Sequence, residues 1–185
     1  SEKVRLNRAQ DIRPCIGDHV GCLGRTFKGK PLSCSVNPTV GLEDELTLIA
    51  AAKPLHVLVV GGGPAGMEAA RVAAVRGHKV TLLEQRHKLG GNLVPGAVPS
   101  FKRDLKLLID YFERQLPMVG VDVRLGQEAT PQSVVESGSD VVVLATGARS
   151  ILPEVPGIHG PLVVTAVDLL LGKVNSPQHA EVVVL

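Results

Sequence analysis

Aromatic residues are nearly absent from this 185-residue chain, which holds three Phe, one Tyr and no Trp. Proteins that stack nucleic-acid bases or enclose methylated cations use several aromatic side chains, so this scarcity argues against both kinds of site. An excess of one charge is also lacking, because 20 Lys and Arg stand against 18 Asp and Glu. The balance predicts no nucleic-acid partner and no attraction to an anionic membrane. The chain does contain 44% hydrophobic residues, which is enough for a sizeable aliphatic core.

Long apolar runs are missing as well, since none approaches the roughly 18 residues that a membrane-spanning helix needs. The chain starts without an apolar signal-peptide segment, so we expect a cytoplasmic protein with no membrane partner, and oligomer formation stays open. Cysteine is absent after position 34; the three present are Cys15, Cys22 and Cys34. An odd number without a secretion signal argues against a disulfide framework, and the clustering favours a shared ligand.

The residue pattern changes near position 50. Residues 1–50 are rich in Gly and Pro without a sustained apolar period, which predicts irregular loops with one short helix at 42–51 and a linker that ends at Pro54. From there on, strand and helix patterns alternate, which indicates an α/β fold with a parallel sheet covered by helices. The predicted strands are 56–60, 79–84, 121–125, 141–145, 162–164 and 182–185, and the predicted helices are 64–76, capped by Gly77, and 101–116.

A glycine-rich turn joins the first predicted strand to the first predicted helix. Its sequence, Gly61-Gly62-Gly63-Pro64-Ala65-Gly66, contains the pattern G-x-G-x-x-G, and Glu84 ends the next strand about 20 residues later, as in dinucleotide-binding sites. Gly61 would permit the tight turn, Gly63 the approach of a pyrophosphate, and Gly66 the close packing of helix and strand, while the helix N-terminus offers N–H groups to the phosphates. The alternative is a purely structural turn.

Glu84 bears on the choice of dinucleotide. Its carboxylate can accept hydrogen bonds from an adenosine ribose, with Gln85 beside it, and its charge would repel a 2′-phosphate. This favours FAD or NAD over NADP at this position.

Two further segments distinguish between these cofactors. Leu89-Gly90-Gly91-Asn92 follows the Glu84 strand, and a later strand ends in Ala145-Thr146-Gly147. Each alone is typical of an ordinary loop, but together they resemble the FAD-binding half of the glutathione-reductase-like flavoproteins. The resemblance implies that Gly91 and Asn92 lie near the flavin end, that residues 145–147 form a second turn beside it, and that the segment from Gln127 to Ala129 meets the adenine.

The cysteines supply a second chemical signal. Cys15, Cys22 and Cys34 offer three soft thiolates in one glycine-rich stretch, which suits zinc or an iron–sulfur cluster. Asp18 or His19 could complete the ligand set, and three cysteines with His19 would form an ordinary zinc site. Three unligated cysteines are equally compatible with the spacing.

A longer pattern resembles a known family. Ile12-Arg13-Pro14-Cys15-Ile16-Gly17, then Gly21-Cys22-Leu23 and Cys34-x-Val36-Asn37-Pro38, resembles the iron–sulfur stretch of the 2,4-dienoyl-CoA reductase and trimethylamine dehydrogenase family of NADH:flavin oxidoreductases. The similarity covers nearly the whole chain in the family's order. It implies that residues 1–50 form an iron–sulfur cluster segment with a linker and that residues 51–185 form an FAD-binding domain. This domain is expected to be truncated at its C-terminal end. It also implies NAD(P)H as reductant and a preceding FMN-binding barrel, as a domain or subunit, that acts on the substrate.

The chain departs from the family pattern C-x2-C-x3-C-x11-C at its second cysteine, which here is Asp18. The resemblance therefore implies metal ligands at Cys15, Cys22 and Cys34 with Asp18 as fourth ligand, and either a [4Fe-4S] or a [3Fe-4S] cluster. No catalytic acid, base or nucleophile stands out, so we expect an electron-transfer part of an iron–sulfur flavoprotein oxidoreductase. The alternative is a non-catalytic ADP- or FAD-binding scaffold with a structural zinc site.

Overall fold

The computed structural model describes residues 2–175 and 181–184. Its helices are α1 (Glu2–Arg5), α2 (Leu23–Thr26), α3 (Pro64–Val75), α4 (Leu93–Gly96), α5 (Asp104–Met118), α6 (Pro131–Glu136) and α7 (Ala166–Leu170), and its strands are β1 (His56–Val60), β2 (Lys79–Glu84), β3 (Asp122–Leu125) and β4 (Val141–Leu144). Short 3₁₀ helices lie at Ala9–Asp11 and Ser100–Lys102. No helix in the described part is long and apolar enough to cross a membrane.

The four strands form one parallel sheet in the order β3-β2-β1-β4. Helices α3, α5 and α6 make the successive crossovers between strands, as parallel neighbours require. Because all strands run in one direction, their carboxyl ends share one edge of the sheet. This is the edge at which open α/β sheets bind their ligands.

The core lies between one face of the sheet and helices α3 and α5. Alternate residues along β1 and β2 point to that face, namely Val57, Val59, Val80 and Leu82. Apolar residues at helical spacing on α5 meet them: Leu108, Tyr111, Phe112 and Leu116. From α3 the core receives Met67 and Ala70. Helical and strand periodicity thus predicted the core, which is largely aliphatic as the composition required.

The predicted α/β class and parallel sheet are confirmed, and four predicted strands and both long helices occur at or near their predicted bounds. The Gly77 cap is also confirmed, with φ +93° and hydrogen bonds back to α3. The helix predicted at 42–51 was wrong. The segment forms turns, the Thr47 hydroxyl donates to the Glu43 carbonyl that a continuing helix would use, and Ala51 N–H instead donates to the Arg76 carbonyl.

The strand predicted at 162–164 was also wrong. The side chain of Leu162 is 95% exposed, and Val163 N–H closes a turn on the Gly160 carbonyl instead of pairing with a strand. Residues 182–184 form no strand in the described part, and Leu185 lies outside the described residues. Apolar β-branched runs alone do not make a strand, because its backbone needs a neighbour to pair with.

Candidate dinucleotide-binding site

The glycine turn is packed against the end of β4. Gly61 has φ +111° and donates its N–H to the Leu83 carbonyl at 2.8 Å. A methyl group at Gly61 would overlap the Ala145 carbonyl oxygen, and one at Gly66 would overlap the Gly61 carbonyl oxygen. Both positions therefore require glycine for the fold itself. The glycine turn after β1 and the turn that starts at Ala145 after β4 lie in direct contact at the carboxyl edge of the sheet.

Gly63 differs from the other two motif glycines because it is open. Its φ is −75°, and a methyl group there would meet no heavy atom of the described residues within 4 Å. It is the N-cap of α3, with Pro64 in the first turn and no side chain capping the helix. The N–H groups of the first turn, which include those of Ala65 and Gly66, have no partner within the helix and therefore suit a bound anion. Pro64 and Ala65 are exposed. The arrangement fits a pyrophosphate.

Glu84 holds the glycine turn as well as facing the site. The residue is only 6% exposed, and its Oε2 accepts the Gly62 N–H at 2.7 Å while its Oε1 accepts the Arg86 N–H at 2.8 Å. A carboxylate oxygen can accept more than one hydrogen bond, so neither oxygen has used its full acceptor capacity. Gln85, the next residue, is exposed at the strand end. Glu84 is therefore buried and hydrogen-bonded to the turn instead of being exposed to solvent.

The loop after β2 closes over the glycine turn. Gly90 N–H donates to the Gly62 carbonyl at 2.8 Å, and a methyl group at Gly91 would lie 2.9 Å from the Gly63 Cα atom. Asn92 Nδ2 donates to the Ala148 carbonyl at 3.4 Å, so the loop also reaches the segment after β4. The structure thus brings Gly91 and Asn92 to the same edge as the glycine turn.

Arg86 is a residue of this region that the sequence patterns did not single out. Its Nη1 donates to the Gly91 carbonyl at 3.2 Å, which ties the strand end to the loop after it. The one sequence signal that could have identified Arg86 is its position just after the strand that ends at Glu84. Arg86 stands within the polar run from Gln85 to Lys88, where it looks like any solvated cation.

The remaining predicted residues lie on the two neighbouring strand ends. Ala145 N–H donates to the Val60 carbonyl at 2.8 Å, which continues β4 beside the glycine turn, and Thr146 and Gly147 follow it as exposed residues. Gln127 N–H donates to the Glu84 carbonyl at 3.0 Å, so the segment up to Ala129 starts beside Glu84. Ala129 itself is half-buried and lies just before α6.

The cysteine segment is only partly gathered. Ser33 N–H donates to the Gly21 carbonyl at 3.0 Å, and a methyl group at Gly21 would lie 3.0 Å from the Cys34 Cα atom. Cys22 and Cys34 therefore lie on neighbouring stretches of the backbone. Cys15 Sγ accepts the Gly17 N–H at 3.4 Å, and Asp18 Oδ1 accepts the Val20 N–H at 3.2 Å. All three thiols are free.

The described cysteine segment does not bring its possible metal ligands together. Across residues 2–175 and 181–184, no group of three or more His, Cys, Asp or Glu side chains lies together as metal ligands would. The donor types suit a cluster, but the described geometry does not assemble them. The metal site at Cys15, Asp18, Cys22 and Cys34 therefore stays a prediction.

A charged group joins the cysteine segment to α3. Glu68 accepts hydrogen bonds from Arg13 at 2.9 and 3.0 Å and from Arg71 at 2.9 Å for each oxygen. Burial acts to raise the pKa of Glu68, but the hydrogen bonds from Arg71 and the charge of Arg13 outweigh it and hold the pKa below its ordinary value. In return, the Glu68 carboxylate raises the pKa of Arg71.

Comparison with known proteins identifies the glycine turn and its surroundings. Residues 56–135, which run from the start of β1 nearly to the end of α6, match the protein family described as FAD dependent oxidoreductase. This stretch of the chain belongs to the FAD-dependent oxidoreductases. The family match supports the predicted α/β fold and FAD as the dinucleotide of this stretch.

Several members of this oxidoreductase group are similar over nearly the whole chain. Cinnamate reductase of Clostridium sporogenes is 44% identical over 174 residues, which are 94% of this chain and 26% of the reductase. NADH oxidase of Thermoanaerobacter brockii is 39% identical over 100% of this chain and 29% of its own length. A solved complex of 2-naphthoyl-CoA reductase superposes with a TM-score of 0.91 at 39% identity, covering 94% of this chain and 27% of the reductase.

These relatives confirm the predicted family resemblance for the FAD-binding part. The chain spans about a quarter of the length of the relatives it matches.

Proposed function

We propose that this chain is the electron-transfer part of an iron–sulfur flavoprotein oxidoreductase, which passes electrons between NAD(P)H, FAD and a cluster that serves an FMN barrel outside this chain. The observation that carries the proposal is the convergence of the glycine turn, Glu84, the Gly91 loop and the Ala145 turn at one edge of the sheet. In this division, residues 1–50 hold the cluster and residues 51–185 hold FAD.

The FAD site is assigned residue by residue. The open backbone of Gly63 and the first turn of α3, with Pro64, Ala65 and Gly66, receive the pyrophosphate. Glu84 accepts the hydroxyls of the adenosine ribose with the lone pairs that Gly62 and Arg86 leave free. Gln85 and the segment that ends at Ala129 border the adenosine.

The flavin side of the site is formed by the other two turns. Gly91 lies against Gly63 on one side, and Ala145 and Thr146 lie against Gly61 on the other. Asn92 connects the two sides through its hydrogen bond to the Ala148 carbonyl. FAD, when bound, would accept two electrons as a hydride from a nicotinamide and release them singly toward the cluster.

The cluster site is assigned to Cys15, Cys22 and Cys34, with Asp18 as the fourth ligand. A carboxylate is a harder and weaker ligand for cluster iron than a thiolate. A [3Fe-4S] cluster, or a [4Fe-4S] cluster with one labile iron, follows from this donor set. Substrate chemistry belongs to the FMN barrel; the relatives' names, a cinnamate reductase and a naphthoyl-CoA reductase among them, support reduction of a conjugated double bond.

The proposal is tested on the full-length protein purified without oxygen. We expect one FAD, one FMN and an iron–sulfur cluster per chain, and flavin absorbance that bleaches when NADH or NADPH is added. Reduction of the cluster should follow that of the flavin. A colourless protein that contains zinc and bound ADP would contradict the proposal and support a scaffold.

A further inference from the structure

Arg13 makes contacts in three directions from the cysteine segment. One nitrogen of its guanidinium, Nη1, donates to the Val36 carbonyl, and Nη2 donates to both oxygens of Glu68. The guanidinium carbon also lies 5.3 Å from the ring centre of Tyr111 and 5.7 Å from that of Phe112. A half-buried cation held by a carboxylate, a carbonyl and two aromatic rings has little freedom to move.

These contacts close the stretch of chain that bears the cysteines. Arg13 stands two residues before Cys15, and Val36 stands two residues after Cys34. The bond between Arg13 and Val36 therefore joins the two ends of the segment that would supply every cluster ligand. Ile16 and Val36 pack against the core beside it, so both ends are also anchored by apolar contacts.

The same contacts connect this segment to the FAD-binding helix. Glu68 lies on α3 just beyond its first turn, and that turn begins at Gly63. A cleft of about 250 Å³ separates the two parts, and Arg13, Cys34, Pro64, Ala65 and Glu68 all contribute to its walls. Cys34 thus faces the same small cleft as the start of the phosphate-binding helix.

We propose that Arg13 is a positioning residue that joins the two ends of the cysteine segment and fastens them to the FAD-binding helix, so that the ligand-bearing loop starts and ends at a defined place beside the FAD site. The inference rests on the proposed function, because it requires that the cysteines bind a cluster. Arg13 acts through the backbone on either side of the ligands and does not itself bind iron.

The experiment compares two substitutions that remove equal numbers of hydrogen bonds to Glu68. Arg13→Gln removes the bonds that cross between the cysteine segment and α3, whereas Arg71→Gln removes two bonds made within α3. Each is introduced into the full-length protein, and FAD, iron and sulfide are measured. Loss of the cluster's visible absorbance to an iron chelator is followed in time, together with its electron paramagnetic resonance spectrum.

We expect Arg13→Gln to lose its cluster roughly tenfold faster than the wild type, in keeping with the effect of residues that orient metal ligands. Its FAD content should stay at the wild-type level, and Arg71→Gln should retain the cluster. Arg13→Lys keeps the charge but not the forked geometry, so an intermediate rate is expected. It also provides a folded comparison if the glutamine variant fails to fold.

Two results would overturn the inference in distinguishable ways. Equal chelation rates and spectra in the wild type, Arg13→Gln and Arg13→Lys would refute the positioning role while leaving the proposed function intact. Wild-type protein that holds FAD but no iron or sulfide would refute the cluster itself, and the role of Arg13 with it.

Discussion

At the residue scale, the three motif glycines have different reasons to be glycine. Gly61 and Gly66 are required by the protein's own backbone. A methyl group at Gly61 would overlap the Ala145 carbonyl oxygen of the neighbouring turn, and one at Gly66 would overlap the Gly61 carbonyl oxygen of the same turn. Gly63 has ordinary extended backbone angles and empty space around its missing side chain. The packing therefore shows why Gly61 and Gly66 must be glycine, whereas Gly63 has open space beside it among the described residues.

Substitution should separate these roles. Gly63→Val should fold with a loss of stability of about 1 kcal/mol, the usual cost of an apolar residue at an N-cap, but should be purified without FAD. Gly66→Ala should instead destabilise the fold by about 3 kcal/mol or more through overpacking. Flavin absorbance and thermal unfolding measure the two effects. Stoichiometric FAD in Gly63→Val would remove Gly63 from the cofactor site.

Glu84 should affect both stability and FAD affinity. Glu84→Ala leaves the buried Gly62 N–H and the part-buried Arg86 N–H without their acceptor, so we expect a loss of about 2 kcal/mol in the free energy of unfolding. Calorimetry should show weaker FAD binding by about 1–3 kcal/mol, the value of a hydrogen bond to a charged group. Glu84→Gln is the matched control, since it keeps one acceptor oxygen. Unchanged affinity in both variants would exclude Glu84 from the ribose site.

At the scale of elements, α3 links the two parts of the chain. Its N-terminus faces the proposed pyrophosphate site, its apolar side lies in the core, and Glu68 on its remaining side binds Arg13 of the cysteine segment. Helix α5 also contacts the cysteine segment. Its Arg114 donates to the Gln10 carbonyl at 2.9 Å, and its aromatic residues Tyr111 and Phe112 lie against the guanidinium of Arg13. The irregular first 50 residues are thus held by two regular helices.

The Glu68 ion pairs predict how stability depends on pH. The pKa of Glu68 is lowered in the folded protein, so its contribution is fully present above its ordinary pKa of 4.5 and is lost as the pH falls below that value through the folded pKa. Denaturant unfolding measured between pH 3 and pH 7 should show this decline, and Glu68→Gln should reduce the slope. An identical slope in the variant would show that other carboxyl groups cause the acid sensitivity.

At the scale of the whole molecule, the prediction concerns the proposed cluster at Asp18. With three thiolates and one carboxylate, the fourth iron should be labile, so mild oxidation of the wild type should produce a [3Fe-4S] signal by electron paramagnetic resonance. Asp18→Cys should suppress that signal by supplying a fourth thiolate. His19→Ala is the control and should leave the spectrum unchanged. Loss of metal in His19→Ala, with no effect of Asp18→Cys, would favour a zinc site of three cysteines and one histidine.

Much of the fold was predictable because its signals are local. Periodicity along 56–60, 79–84 and 101–116 placed strands and helices, and the G-x-G-x-x-G spacing placed a turn that only glycine can form. The short helices, α2, α4 and α6 among them, were not predicted, because four to six residues carry too little periodicity. The errors at 42–51 and 162–164 arose where an apolar local pattern had no packing or pairing partner.

The sequence by itself determined the α/β class, the dinucleotide turn and the residues that belong to its edge, because backbone stereochemistry and residue periodicity act over a few neighbouring positions. Only the tertiary structure decided that Ala145 abuts Gly61, that Glu84 holds the turn through the Gly62 N–H, and that Arg13 reaches Glu68 across 55 positions. Such contacts depend on the order in which strands assemble and on how the loops dock. No local pattern records that order, since it is chosen by burial over the whole chain.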